Sequence, residues 1–173
     1  NIARVYNQQG KYDKALEYYE MSLNIELEKL GDDHSEVGST YNGMANVYDN
    51  QGKYDKALEY YEKSLNIRLE KLGDDHPDVA TTYNNMAAVY DNQGKYDEAL
   101  EYYEKDLVIS LKKLGDDHPS VADTKYNLAL LYKIKLDNKV EAKKLFEDCV
   151  RIYTTVFDEN HVKTIDAKKN VES

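Results

Sequence analysis

Two short strings recur along the chain at a fixed interval. Leu-Gly-Asp-Asp-His occupies residues 30–34, 72–76 and 114–118, and Gln-Gly-Lys-Tyr-Asp begins at Gln9, Gln51 and Gln93. Both give a period of 42 residues, and residues 34–75 differ from residues 76–117 at only 11 positions. A fourth copy is diverged: Tyr132 follows Tyr90 by 42 residues, but Ala142 follows Ala99 by 43, so one residue is inserted between them. Self-similarity at this interval is the mark of a stacked-repeat architecture, and it constrains the fold more than any local propensity does.

Each unit reads as two helices. Tyr83, Met86, Ala87 and Tyr90 fall at i, i+3, i+4 and i+7, one apolar helical stripe. Gln93-Gly94-Lys95 interrupts the pattern as a turn. Leu100, Tyr103, Leu107, Leu111 and Leu114 then form the expected stripe of a longer second helix. Gly31, Gly73 and Gly115 follow the three long helices, where a left-handed C-terminal residue is wanted. Neither helix can bury its stripe alone, so the pairs must stack into an all-α solenoid. The expected organisation is a single array over residues 1–173. It has a partial unit 1–33, units 34–75, 76–117 and 118–160, and a further helix beginning in 161–173.

At this spacing the pattern resembles a tetratricopeptide repeat, whose signature is small residue, Tyr, Gly, Tyr, Ala, aromatic, small residue. The second unit reads Ala45, Tyr48, Gly52, Tyr54, Ala57, Tyr61 and Ser64, and the third Ala87, Tyr90, Gly94, Tyr96, Ala99, Tyr103 and Asp106. The long second helix and Leu-Gly-Asp-Asp-His-Pro look like the 42-residue variety found in kinesin light chains and related scaffolds. The resemblance covers essentially the whole chain. It implies a right-handed superhelix, a non-catalytic protein-binding role and a ligand groove lined by the first helix of each unit. The chain opens and closes inside helices without a polar capping helix, which reads as a stretch of a longer array whose exposed ends self-associate.

Charge narrows the partners. Against 23 Lys and Arg stand 33 Asp and Glu, a net charge of −10, where a general nucleic-acid binder needs a basic face. No apolar run approaches a membrane span. A lone cysteine, Cys149, precludes an internal disulfide and is compatible with a reducing, cytoplasmic compartment.

The Asp-Asp-His triplets are the most site-like motif, because carboxylate and imidazole ligate metals. Helix capping accounts for them better: Asp75 at the N-cap, Pro77 in the first turn and Asp78 in the reciprocal position, with Asp33 and Glu36 repeating the arrangement and Asn160 capping before His161. Triplets one repeat apart, roughly 10 Å, cannot share an ion. No metal and no cofactor are expected.

Tyrosines at the packing positions, Tyr48, Tyr90, Tyr132, Tyr19, Tyr61 and Tyr103, are read as core rather than as base-stacking platforms, with Tyr18, Tyr60 and Tyr102 less buried. Cys149, at the position of Ser22 and Ser64, reads as a packed thiol. Asp106 occupies the same small-residue position; it either hydrogen-bonds, for instance to a Tyr hydroxyl, or loosens the interface, and the hydrogen-bonded reading is preferred. His34, His76, His118 and His161 all sit in equivalent loops, so no catalytic constellation can be assembled, and no enzyme activity is expected.

The polar face of the first helices is the remaining candidate site. It carries Arg4, Asn7 and Gln8 in the first unit, and Ser39, Asn42, Asn46, Asp49 and Asn50 in the second. The third contributes Thr81, Asn84, Ala88, Asp91 and Asn92, and the fourth Asp123, Tyr126, Leu130, Lys133 and Ile134. Asn is a poor helix former, so its recurrence inside helices needs a reason. Its amide both donates and accepts, which suits it to holding an extended peptide backbone; the alternative is a solvated Asn copied with the repeat. The family's well-known clamp sets lysines and an arginine beside such asparagines to grip a carboxylate. Here the central groove is Asn- and Asp-rich, so the expected ligand is a neutral or basic peptide or protein segment. A rival reading makes the array the sensor of a larger signalling ATPase or protease.

Overall fold

The computed structural model describes residues 2–172, and these fold into helices without strands. The short first helices of the units are α1 (Ile2–Gln8), α3 (Ser35–Asn50), α5 (Pro77–Asn92), α7 (Pro119–Leu130) and α9 (Val162–Glu172). The longer second helices are α2 (Tyr12–Leu30), α4 (Tyr54–Leu72), α6 (Tyr96–Leu114) and α8 (Lys139–Val156). The chain forms two compact units, Asn1–Val89 and Tyr90–Ser173, with the boundary inside α5.

In the first unit Ala3, Ala15, Tyr19, Met44 and Val47 form one buried cluster. Tyr61 is completely buried, and Val79, Met86 and Ala87 of α5 repeat the inward positions of Val37, Met44 and Ala45 of α3. In the second unit Ala122, Cys149, Ile152, Tyr153 and Ala167 pack together, and Ala129, Ala142 and Phe146 form a neighbouring cluster. Tyr19, Tyr48, Tyr61 and Tyr103 are core as expected, whereas Tyr90 and Tyr132 are half-buried. The outer tyrosines stack on the first helices: Tyr6 on Tyr18 at 5.3 Å, and Tyr90 on Tyr102 at 5.2 Å between ring centroids. An ammonium group covers the stacks, as with Lys105 over Tyr102 at 4.6 Å.

The stripe of α6 departs from expectation. Leu111 and Leu114 are exposed, and the face that turns inward beyond Tyr103 carries Asp106, Ile109 and Ser110. The polar pair tolerates burial because its groups are satisfied. Ser110 Oγ donates to Asp106 Oδ1 at 2.8 Å, and Thr124 Oγ1 of α7 donates to Asp106 Oδ2. Asp106 is thus hydrogen-bonded, to hydroxyls of Ser and Thr. In the first unit Arg68 lies one repeat earlier than Ser110, is also buried, and donates to the Asp78 carbonyl and Thr82 Oγ1, both at 2.7 Å.

Capping also differs in its agent. The N-cap of α3 is His34, whose Nδ1 accepts the Glu36 N–H at 3.2 Å. His76, His118 and His161 accept from the N–H groups of Asp78, Ser120 and Lys163 in the same way. Histidine, not the preceding Asp or Asn, is therefore the cap, because its Nδ1 acceptor stands where an Asx or Ser oxygen stands in a common N-cap. Asp33 pairs instead with Lys71, which holds its carboxyl below the usual range by hydrogen bond and charge. His76→Ala should cost about 1 kcal/mol, as loss of an N-cap does. Asp75→Ala should fall well short of that in urea denaturation; the reverse order would return the cap to Asp75.

The long helices end as the repeat demands. Gly31, Gly73 and Gly115 have φ of 90°, 87° and 82° with ψ near 165°, a region open essentially to glycine alone, and each N–H caps the carbonyl four residues back. Their φ is positive, as expected, but ψ is extended rather than left-handed helical. The residue inserted in the fourth unit is absorbed by a π-helical turn, Leu131–Lys135, closed by the Leu136 N–H on the Leu131 carbonyl at 3.1 Å. Cys149 is a packed thiol: it is fully buried, donates to the Ala122 carbonyl, and burial pushes its pKa up to about 12.

Candidate peptide-binding groove

In the first unit α1, α2 and α3 enclose an open cleft of about 580 Å³. Asn42, Asn46 and Asn50 of α3 line it, and so do Arg4, Asn7 and Gln8 of α1. The i, i+4, i+8 spacing puts the three asparagines on one helical face. Asn50 Nδ2 donates to Asn7 Oδ1 at 3.0 Å, tying α3 to α1. Asn46 is held from both ends: its Nδ2 donates to the Asn42 carbonyl at 2.9 Å, and its Oδ1 accepts the Tyr61 hydroxyl at 2.8 Å. Asn42 differs, since its Oδ1 is buried and has no partner. Asp49 stands beside Tyr61, where burial first and the Asp49 charge second push the phenol pKa up.

Two residues of this cleft carried no obvious signal. Tyr19 forms part of its wall because Gly43 leaves room: a Cβ at Gly43 would sit 2.5 Å from Tyr19 Cζ. Asn85 replaces that glycine one repeat later, and this difference between near-identical units was the available clue. Glu26 of α2 also faces the cleft, with its Oε2 buried and unpartnered. It stands at the position that Arg68 and Ser110 hold in later units.

The candidate positions of α5 are less uniform. Thr81 is exposed and donates back to the Pro77 carbonyl at 3.0 Å; Asn84 is half-buried. Asp91 is half-buried with an unpartnered Oδ1, and Asn92 is exposed.

In the second unit three of the candidate residues, Asp123, Tyr126 and Lys133, are engaged by α9. The Tyr126 hydroxyl donates to Asp166 and accepts from Asn170 Nδ2 at 3.2 Å, while burial and the Asp166 carboxylate raise its pKa. Lys133 Nζ donates to Asn170 Oδ1 at 3.2 Å. A smaller hollow of about 230 Å³ lies between Asp123, Tyr126, Asn127, Tyr153, Lys163 and Asp166. Within it Lys163 Nζ donates to both oxygens of Asp123, at 2.6 and 2.8 Å, while Asp166 accepts from the Tyr126 hydroxyl. Nearby, buried Lys125 is held between Asp116 Oδ1 at 2.8 Å and Asp148 Oδ2 at 2.6 Å. Desolvation opposes its charge, but the two carboxylates outweigh it and hold its pKa above the usual lysine value.

Short and long helices that alternate along the chain at a 42-residue period, with one residue inserted in the fourth unit, define an α-solenoid. The family is shown directly: the tetratricopeptide repeat profile matches residues 1–70, 36–107 and 83–155, and the chain belongs to that family. It is accordingly a protein-interaction scaffold in general character. Among solved structures, it is similar to the nearly identical TPR-like repeats of a protein from Podosopora anserina assigned as a kinesin light chain. That match has 26% identity and a TM-score of 0.81, over 98% of this chain and 80% of the other. BtubC (BKLC) from P. vanneervenii matches at 25% identity and a TM-score of 0.83, over 98% and 67%. The N-terminal domain of stress-induced protein-1 from C. elegans shares the fold, with a TM-score of 0.59 at 19% identity over 80% and 97%. No curated protein matches the chain. Among the described residues no helix is long and apolar enough to cross a membrane.

Proposed function

We propose that the chain is a non-catalytic binding module whose first unit takes an extended peptide in the cleft between α1 and α3. The observation that carries the reading is Asn42 Oδ1: a buried acceptor beside an open polar cleft, without a partner, where a ligand backbone N–H would satisfy it. Asn46 and Asn50 support it differently from expectation. Their hydrogen bonds brace α3 against Tyr61 and α1, so they hold the wall in place while Asn42 meets the ligand. Family membership and the likeness to kinesin-light-chain-type repeats favour a protein ligand.

The ligand is neutral or basic, because an acidic segment would meet a chain of net charge −10. A peptide array probed with the wild-type chain and with an Asn42→Ala, Asn84→Ala double variant tests this. Micromolar capture of neutral or basic peptides is expected, weakened by the double substitution. Preferential capture of acidic peptides, or indifference to both substitutions, would sink the proposal.

A further inference from the structure

The cleft of the first unit has two electrically distinct poles. At one, Glu36 and Glu26 line the wall, and Glu26 Oε2 is buried with nothing to accept from. At the other, Arg4 lies beside Tyr19, whose phenol it acts on electrostatically against the larger effect of burial. Tyr19 and Glu26 are seven residues apart on α2, which separates the poles by roughly 10 Å. The same cleft is lined by Asn42, whose Oδ1 is unpartnered, and by the next residue, Gly43, against which Tyr19 packs.

Such an arrangement asks for particular groups. A buried carboxylate oxygen without a donor is the most demanding acceptor in the cleft, and a charged donor satisfies it best. The surroundings reinforce the sign, since residues 1–89 carry nine Lys and Arg against 16 Asp and Glu. An extended chain advances about 3.3 Å per residue, so roughly three residues span the two poles.

Resting on the peptide-binding reading above, we infer that this cleft selects a dipolar segment. A lysine or arginine side chain of the ligand enters at Glu26 and Glu36, its backbone N–H meets Asn42, and a carboxylate three residues away meets Arg4. The cation gives the selectivity, because the Glu26 Oε2 it meets is buried while Arg4 is exposed. The polarity also fixes the direction in which the segment lies.

The experiment uses the isotope-labelled 173-residue chain, titrated by NMR with acetylated and amidated tetrapeptides. The probes are Lys-Ala-Ala-Glu, its norleucine counterpart in which the ammonium is absent, and the reversed Glu-Ala-Ala-Lys. The lysine peptide should bind about tenfold more tightly than the norleucine one, a ratio expected of one charged pair. Glu26→Gln, nearly isosteric, should erase that ratio by weakening the lysine peptide about tenfold. Arg4→Gln should remove the preference for Lys-Ala-Ala-Glu over the reversed peptide. Equal affinity for lysine and norleucine, or a lysine preference that survives Glu26→Gln, overturns the inference. In those cases binding that still falls with Asn42→Ala leaves the groove reading standing. Peptides that shift no resonance of the cleft overturn both.

Discussion

Tyr61→Ala is expected to lower the free energy of unfolding by about 3–5 kcal/mol, the range for truncating a fully buried large aromatic. Tyr61 has no exposed surface, and truncating it leaves a cavity in a close-packed core. Its hydroxyl adds a second loss, because Asn46 Oδ1 would be left without its donor. Tyr61→Phe separates the two contributions: it keeps the packing and should cost about 1 kcal/mol. Tyr90→Ala should cost clearly less than Tyr61→Ala, since Tyr90 is half-buried against Tyr102. Urea denaturation followed by circular dichroism gives all three. Equal losses at Tyr61 and Tyr90 would show that burial within one unit does not govern the array's stability.

How much of this was legible beforehand depends on which physical effect fixed each feature. The 42-residue period and the apolar stripe of the first helices require helix pairs that stack, so the repeat family could be read from Ala45, Tyr48, Gly52 and their copies. Orientation along the long helices was harder. Polarity placed Leu111 and Leu114 inside, yet hydrogen bonds to Thr124 and Ser110 make Asp106 and its neighbours the buried face, and such pairing between helices has no local signature. The capping loops were legible as caps but not by agent: Asp is the commoner N-cap, and only the backbone conformation of His34 and His118, extended with ψ near 140°, brings the imidazole to the N–H. The asparagines were found by their poor helix propensity. Their division into braces at Asn46 and Asn50 and an open acceptor at Asn42 follows from contacts with Tyr61 and Asn7, which lie in other helices.

Thr124→Val is expected to cost about 2–3 kcal/mol, more than an ordinary hydroxyl deletion. The reason is the acceptor: hydrogen bonds to charged groups contribute about 1.5–3 kcal/mol, and removing the donor leaves a buried carboxylate oxygen less satisfied. Asp106 is 4% exposed, and its two oxygens accept from Ser110 and Thr124. Serine stands at this position in the two preceding units, so Asp106→Ser restores the repeat pattern and removes the buried charge together with its demand for donors. That substitution alone should be close to neutral, because the desolvation cost of the carboxylate disappears with the bonds it made. In the Asp106→Ser background Thr124→Val should then cost less than about 1 kcal/mol, giving a coupling of roughly 1–2 kcal/mol between the two sites. The cycle discriminates between two accounts of the α6–α7 joint. Coupling of that size means the hydroxyls are present to hold the carboxylate, and the interface is built around the charge. Additive losses would mean that Thr124 contributes by shape alone, and that Asp106 is a loosening of the joint which the neighbouring hydroxyls do not repair.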